Sequence, residues 1–149
     1  MVLRDLDGSG WETRGGKVLE EALIRALTSN GWQRDSVAAI VIEPEIEAWL
    51  RFRSLHLHSL VKQRARRSQQ MTELLFPDVV KDAINHTGGE AAGKPHRPKE
   101  TFETLLQEFG IPRSNALYKE LAARESLDAC SVDSFNRFKT QLQAWFSKA

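Results

Sequence analysis

The first third of the chain carries a pattern of apolar positions that predicts a strand, a helix and a second strand. Val2 and Leu3 form a short apolar start. Apolar residues at helical spacing then predict a helix over residues 17–30, which Gly31 is placed to end. Residues 37–42 are continuously apolar and rich in β-branched side chains, which is typical of a strand buried on both faces of a parallel sheet.

The remaining pattern predicts mainly helices. Pro44 fits the first position of a helix that continues past Trp49 and whose far end the pattern does not define. A short helix is expected over residues 78–86, and residues 87–98 have the composition of a flexible loop. Three more helices are predicted in the C-terminal part: residues 98–110, residues 115–124 after Ser114, and a last helix after Asp133 that carries Phe135, Phe138, Leu142, Trp145 and Phe146.

These elements predict an α/β fold, in which a short parallel sheet is followed by a mostly helical C-terminal half. A strand–helix–strand unit of this length implies parallel strands joined by a right-handed crossover. Two strands alone do not make a stable sheet. Either the chain has further strands that the pattern does not reveal, or the sheet is completed by a second chain or in a homo-oligomer. The predicted segments are residues 1–61 (α/β, with the acidic residues), 62–98 (basic and loop connector) and 99–149 (three helices on the same core).

Composition and length indicate a cytoplasmic protein that forms one domain. The 149 residues are enough for a real core, and no apolar run is long enough to span a membrane. The start lacks the apolar stretch of a secretory signal. The one cysteine, Cys130, cannot form an internal disulfide, and we expect it to be a buried thiol rather than a nucleophile.

Charge is distributed unevenly along the chain. Residues 1–50 hold five basic and nine acidic side chains, whereas residues 51–70 hold six basic and no acidic ones. An acidic block followed by a basic block is what a metal site beside a polyanion-binding surface requires. A solvated surface explains the same charges equally well.

Five carboxylates cluster where the two predicted strands end. Asp5 and Asp7 follow the first strand, Glu43 follows the second, and Glu45 and Glu47 come directly after it. Function collects at the carboxyl ends of strands in parallel sheets, and crowded carboxylates favour Mg²⁺ or Mn²⁺. Such a cation activates water and stabilises a phosphoryl transition state. In the simpler alternative, the aspartates shape a turn and the glutamates favour a helix N-terminus.

An EF-hand calcium loop is the one rival metal site that the sequence excludes. Asp5 and Asp7, with the glycines that follow, match the opening of such a loop. The loop requires a Glu at its twelfth position and a helix before it. The twelfth position here is Gly16, and only four residues precede Asp5.

The order of these features resembles the second half of a toprim domain, the catalytic module of topoisomerases, primases and nucleases of the overcoming-lysogenization-defect type. The shared order is a short strand ending in Asp5 and Asp7, a helix, an apolar strand and Glu43. Residues 40–50 are also similar to a stretch of bacterial toprim-related proteins of unknown function, some of them linked to phage defence. The resemblance covers residues 2–50.

This resemblance implies a Mg²⁺-dependent nucleic-acid-processing protein or fragment of nuclease or phosphodiesterase ancestry. Asp5 and Asp7 would be its metal-binding aspartates, with Glu43, Glu45 or Glu47 as an added ligand and Glu43 as the favoured catalytic partner. A toprim domain also has an earlier strand bearing a general acid–base Glu, which this sequence does not contain. We therefore expect a truncated chain, a second polypeptide that supplies the strand, or an inactive domain.

Basic residues downstream are the predicted contacts for DNA or RNA. They follow the acidic block and recur in the loop before the helix at residue 98, where a helix N-terminus favours anions. Surface solubility is the alternative explanation of these charges. The predicted nucleic-acid contacts are Arg51, Arg53, Arg64, Arg66, Arg67, Lys94, Arg97 and Lys99.

A second hypothesis is a non-catalytic DNA-binding or assembly module. Residues 104–121 have the outline of a helix-turn-helix, with Gly110 in the turn. Arg113, Asn115 and Lys119 would face DNA if the second helix entered the major groove. Any pair of antiparallel helices shows much the same pattern.

Overall fold

The protein has an α/β fold with a short parallel sheet and a mostly helical C-terminal half, as the sequence predicts. The structure is a computed structural model that describes residues 1–124 and 130–146. Its strands are β1 (Val2–Asp5), β2 (Ala39–Ile42), β3 (Glu90–Ala91) and β4 (Lys94–Pro95). Its α-helices are α1 (Gly16–Ser29), α2 (Leu55–Arg64), α3 (Gln69–His86), α4 (Pro98–Glu108), α5 (Asn115–Arg124) and α6 (Asp133–Phe146).

The described residues form two compact units. Unit 1 contains residues 1–49 and 130–146, so its two parts are separated in sequence by the whole of unit 2, residues 50–124. In unit 1, β1 and β2 pair in parallel from Val2 opposite Ala39 to Asp5 opposite Ile42. All four residues of β2 are buried, because α1 and α6 pack against this strand.

The outer edge of β2, away from β1, is partly closed by side chains rather than by a strand. Glu20 on α1 accepts a hydrogen bond from the Val41 N–H at 2.7 Å. Arg137 on α6 pairs with the same carboxylate at 2.6 Å and approaches the Val41 carbonyl oxygen at 3.5 Å. Burial of the Arg137 guanidinium lowers its pKa, and the hydrogen bonds to Glu20 and Asp133 raise it. The second effect is larger, so the pKa of Arg137 lies above its ordinary value.

Unit 2 is a helical core with a small hairpin, β3–β4, beside it. The apolar side predicted for α4 is confirmed, since Phe102, Leu105, Leu106 and Phe109 are all buried. Helix α5 begins as predicted after Ser114, whose hydroxyl oxygen accepts a hydrogen bond from the Leu117 N–H at 3.2 Å. The buried thiol predicted for Cys130, which belongs to unit 1, is also confirmed.

The single helix predicted to run on from Pro44 is wrong. A 3₁₀ helix, Ile46–Trp49, is followed by a break, and α2 begins only at Leu55. Ser54 starts this second helix, because its hydroxyl oxygen accepts a hydrogen bond from the Leu57 N–H at 3.1 Å. Ile46 is 43% exposed, whereas Trp49 in the same turn is buried.

Two predictions in the middle of the chain also need correction. The helix expected over residues 78–86 is α3, which begins at Gln69 after the capping residue Ser68 and contains Pro77 in its interior. Burial of Phe76 and Val80 on one side of α3 offsets the hydrogen bond that proline removes. The predicted loop, residues 87–98, contains the hairpin β3–β4.

None of the helices in the described part of the chain is both long and apolar enough to cross a membrane.

Candidate metal site and basic surface

The carboxyl ends of β1 and β2 bring the predicted acidic segments side by side. Asp5, the last residue of β1, pairs with Ile42. The Leu6 N–H donates to the Ile42 carbonyl oxygen at 2.9 Å, and the Asp7 N–H donates to the Pro44 carbonyl oxygen at 3.0 Å. The backbone from Asp5 to Asp7 therefore runs alongside the backbone on both sides of Glu43.

The five acidic residues at this edge differ in exposure. Asp7 and Glu43 are exposed and Asp5 is half-buried, so all three are accessible from solvent. Glu45 and Glu47 are only 4% and 2% exposed, and both take part in interactions within the chain. Buried charges need internal partners, which suits Glu45 and Glu47 to a structural role.

Glu43 has a structural contact that the sequence does not predict. Helix α1 follows Gly15, which offers no side chain to cap it. The Glu43 Oε1 atom instead accepts a hydrogen bond from the Gly16 N–H at 2.7 Å. A carboxylate is favoured at this positive end of a helix, where N–H groups lack partners inside the helix. The only sequence signal for this contact is a pair of glycines where a capping residue is usual.

A further acid, Glu12, lies in the loop between Asp7 and α1 and was missed by the sequence reasoning. Its carboxylate accepts a hydrogen bond from the Gly10 N–H at 3.1 Å. Hydrogen bonds from its own backbone and from Gly10 hold the pKa of Glu12 below its ordinary value. This exposed carboxylate is therefore ionised at neutral pH, in the loop that follows Asp7.

The carboxylates at this edge are suited to Mg²⁺ or Mn²⁺ only if the ion keeps several of its water ligands. Across residues 1–124 and 130–146, no group of three or more His, Cys, Asp or Glu side chains is arranged to hold a metal. Mg²⁺, however, is commonly bound through one or two carboxylates, several waters and the phosphates of a substrate. The carboxylates of Asp5 and Asp7 match that chemistry, whereas a cage made entirely of protein ligands does not match this site.

Several of the predicted nucleic-acid contacts in unit 2 are held by partners within the unit. Arg53 binds the Glu90 carboxylate through two nitrogens, at 2.7 and 3.0 Å. Arg64 pairs with Glu120. The Lys94 ammonium group donates to the Leu50 carbonyl oxygen at 3.0 Å. These contacts neutralise or orient cations that the sequence predicts to be available to a polyanion.

Arg66, Arg67 and Arg97 are the predicted contacts that remain most available. All three are exposed, and within the described residues none of them forms an ion pair. Arg51 and Lys99 are half-buried and interact within the chain. The basic surface that unit 2 offers to a polyanion is thus smaller than the charge count indicates.

The Arg53–Glu90 pair gives a testable pH effect. The hydrogen bond from Arg53 holds the pKa of Glu90 below its ordinary value. A carboxyl group whose pKa is lower when folded stabilises the fold above its unfolded pKa, and loses that contribution as the pH falls through the folded value. We expect NMR titration of the Glu90 carboxyl carbon to show a lowered midpoint that Arg53→Gln returns to the ordinary value. An unchanged midpoint in Arg53→Gln would contradict the pairing.

The predicted helix-turn-helix corresponds to α4 and α5, but one of its three DNA-facing residues is engaged. Arg113 pairs with Glu103, and its guanidinium group lies 5.5 Å from the centre of the Tyr118 ring. Asn115 and Lys119 are exposed. DNA reading by this helix pair stays a prediction, and Arg113 would have to leave its present partners to contribute.

Comparison with protein-family models, with curated proteins and with solved structures found no match for this chain. The toprim relationship, the metal site and the nucleic-acid surface therefore stay predictions. Their support comes from the sequence and from the geometry described above.

Proposed function

We propose that unit 1 is a toprim-like module that binds Mg²⁺ or Mn²⁺ at the carboxyl edge of β1 and β2 and processes nucleic acid. The parallel register is the observation that supports this most strongly. It runs the backbone from Asp5 to Asp7 beside that of Ile42 and Pro44. Accessible carboxylates from two neighbouring strands therefore share one edge, where function collects in parallel sheets.

In this proposal the acidic residues have different roles. Asp5 and Asp7 hold the cation, and Glu43 is a positioning residue because its carboxylate is bonded to the N-terminus of α1. When bound, the cation would polarise a phosphodiester and activate water. Exposed arginines of unit 2, Arg66, Arg67 and Arg97, are suited to bind backbone phosphates.

Calorimetric titration with Mn²⁺ tests the cation site directly. We expect the Asp5→Asn/Asp7→Asn double variant to bind Mn²⁺ at least about tenfold more weakly than the wild type, because both proposed ligands lose their charge. Asp35→Asn is the matched control, since it removes an exposed acid of unit 1 away from this edge. Equal affinity in the double variant, or no binding by the wild type, would contradict the proposal.

An assembly module is the second candidate function, favoured by the outer edge of β1. The register directs the backbone N–H and C=O groups of Leu3 away from β2. No strand within residues 1–124 and 130–146 pairs with that edge, and the Leu3 side chain is 43% exposed. An unpaired edge is a template for a strand from another chain, either a second copy or a different polypeptide.

Light scattering coupled to size-exclusion chromatography tests self-association through this edge. We expect the wild type to form a dimer at high concentration, and Leu3→Lys to shift it to monomer, since a lysine on an edge strand disfavours pairing. Val18→Lys adds the same charge at a similarly exposed apolar position on α1 and should leave the dimer intact. A monomeric wild type would contradict self-assembly.

A further inference from the structure

Trp32 lies on the surface of unit 1, directly after α1, and presents much of its indole ring to solvent. It is 59% exposed, whereas Trp49 in the same unit is 7% exposed. Tryptophan is a large aromatic residue that is highly buried on average. The residues that the structure describes therefore leave a flat aromatic face uncovered at this position.

The backbone fixes the position of Trp32. The Gly31 N–H donates to the Thr28 carbonyl oxygen at 3.0 Å, and the Trp32 N–H donates to the Leu27 carbonyl oxygen at 3.3 Å. With Gly31 at a φ of 91°, these two bonds form the Schellman motif that ends a helix. Such a motif often has an apolar side chain at the position of Trp32, which contacts the one at the position of Leu27. The motif explains an apolar residue here, but a leucine would serve as well as an exposed indole.

An arginine without an ion pair follows two residues later. Arg34 is exposed and lines a groove of about 430 Å³ beside β2. Arg137 lines the same groove but is held by Glu20, whereas within residues 1–124 and 130–146 Arg34 has no ion pair. Asp35 is adjacent in a 3₁₀ helix, whose three residues per turn direct its side chain about 120° away from that of Arg34. The Arg34 guanidinium group is therefore available to an anion.

The surroundings of Trp32 differ from those of a tryptophan at the centre of a protein interface. Such a residue lies among contacts that exclude water, in a patch whose core is apolar. Residues 29–31 and 33–36 are all exposed, and none of them carries an apolar side chain. One aromatic face beside one cation instead matches a nucleotide, whose base stacks on aromatic rings and whose phosphate pairs with arginine.

We propose that Trp32 and Arg34 bind single-stranded nucleic acid, Trp32 by stacking on an unpaired base and Arg34 by pairing with a neighbouring phosphate. Bases inside a duplex are stacked on each other, so their faces are open to an aromatic side chain only in a single strand. The inference names the substrate class of the proposed function and rests on that function. Because neither residue belongs to the carboxyl edge of β1 and β2, this binding does not require the cation.

Fluorescence anisotropy of a labelled single strand of about 12 thymidine nucleotides, in a chelating buffer, tests the role of Trp32. We expect Trp32→Leu to weaken binding at least about fivefold, because leucine cannot stack on a base, and Trp32→Phe to retain most of the affinity. Leucine keeps the apolar contact that ends α1, so the structure is preserved. Phe146→Leu is the matched control, since Phe146 is another exposed aromatic residue of unit 1, and should bind like the wild type.

The salt dependence of the same binding tests the role of Arg34. Arg34→Gln should lower the slope of log affinity against log salt concentration by about 0.7, the value for one phosphate contact on a single strand. Arg25→Gln removes an exposed arginine of α1 that is already paired with Glu21, and should leave the slope unchanged. Equal slopes for Arg34→Gln and the wild type would remove Arg34 from the site.

NMR of the ¹⁵N-labelled protein gives a second measurement that needs no variant. The indole N–H signal of Trp32 should shift when the single strand is added, while that of buried Trp49 stays in place. The inference is wrong if the wild type does not bind the strand, or if Trp32→Leu binds it as tightly as the wild type. A Trp32 signal that responds to no nucleic acid would point to a protein contact instead and would also overturn it.

The Asp5→Asn/Asp7→Asn variant separates this inference from the proposed cation site. It should bind the single strand at least as tightly as the wild type in the chelating buffer, because it lacks two negative charges and retains Trp32 and Arg34. A failed cation site would therefore leave Trp32-dependent binding intact. Strand binding that is independent of Trp32 would remove this inference and leave the proposed function standing.

Discussion

Replacing Trp49 with Ala should lower the free energy of unfolding by about 3–5 kcal/mol, the usual cost of deleting a buried tryptophan side chain. Trp49 is only 7% exposed, and its ring centre lies 5.2 Å from that of Phe135 and 5.5 Å from that of Phe138. Its indole N–H also donates to the buried Ser134 hydroxyl at 3.0 Å. The substitution would leave a cavity and an unpaired hydroxyl at the contact that ties α6 to residues 1–49.

Trp32→Ala is the matched control, because Trp32 belongs to the same unit but is 59% exposed. We expect this change to alter stability by no more than about 0.5 kcal/mol. Urea denaturation followed by far-ultraviolet circular dichroism measures both variants without relying on tryptophan fluorescence. Similar losses in the two variants would show that α6 does not complete unit 1 through Trp49.

Gly16→Ala should destabilise the protein by about 1–3 kcal/mol, because a methyl group at this position displaces the Glu43 carboxylate from the N-terminus of α1. A Cβ atom on Gly16 would overlap Glu43 Oε1 and lie 3.1 Å from Val41 Cγ1. The carboxylate would have to leave the N-terminus of α1, or the helix would have to move away from β2. The same denaturation experiment measures the loss.

A double-mutant cycle separates this contact from any intrinsic effect of alanine. In a Glu43→Ala background the closest atom is absent, so Gly16→Ala should cost less there. We expect an interaction energy of about 1–3 kcal/mol between the two positions. Additive effects would mean that Glu43 does not hold α1.

The sequence predicts those parts of the fold that depend on local pattern. The apolar run that becomes β2, the amphipathic α1 and α4, and the capping serine of α5 all act over a few residues, and each is confirmed. The prediction starts α3 at residue 78, directly after Pro77, and carries one helix through the break before α2. Packing of Phe76 and Val80 makes Pro77 tolerable inside α3.

The candidate site was harder to predict because its decisive contacts join residues far apart in sequence. Glu43 caps a helix that starts 27 residues earlier, and Arg53 forms an ion pair with Glu90, which is 37 residues away in sequence. Composition shows five clustered acids and a basic block, but it cannot show that Glu45 and Glu47 are buried. Asp5 is half-buried and Asp7 is exposed, and both also take part in interactions within the chain.

Paramagnetic broadening by Mn²⁺ in the NMR spectrum of the labelled protein tests the central claim most directly. The proposed site predicts that substoichiometric Mn²⁺ first broadens the amide signals of Leu6, Asp7 and Gly8, while that of Asp35 stays sharp. The Asp5→Asn/Asp7→Asn variant should lose this selectivity. Unselective broadening in the wild type, or the same selective broadening in the variant, would contradict a cation site at the carboxyl edge of β1 and β2.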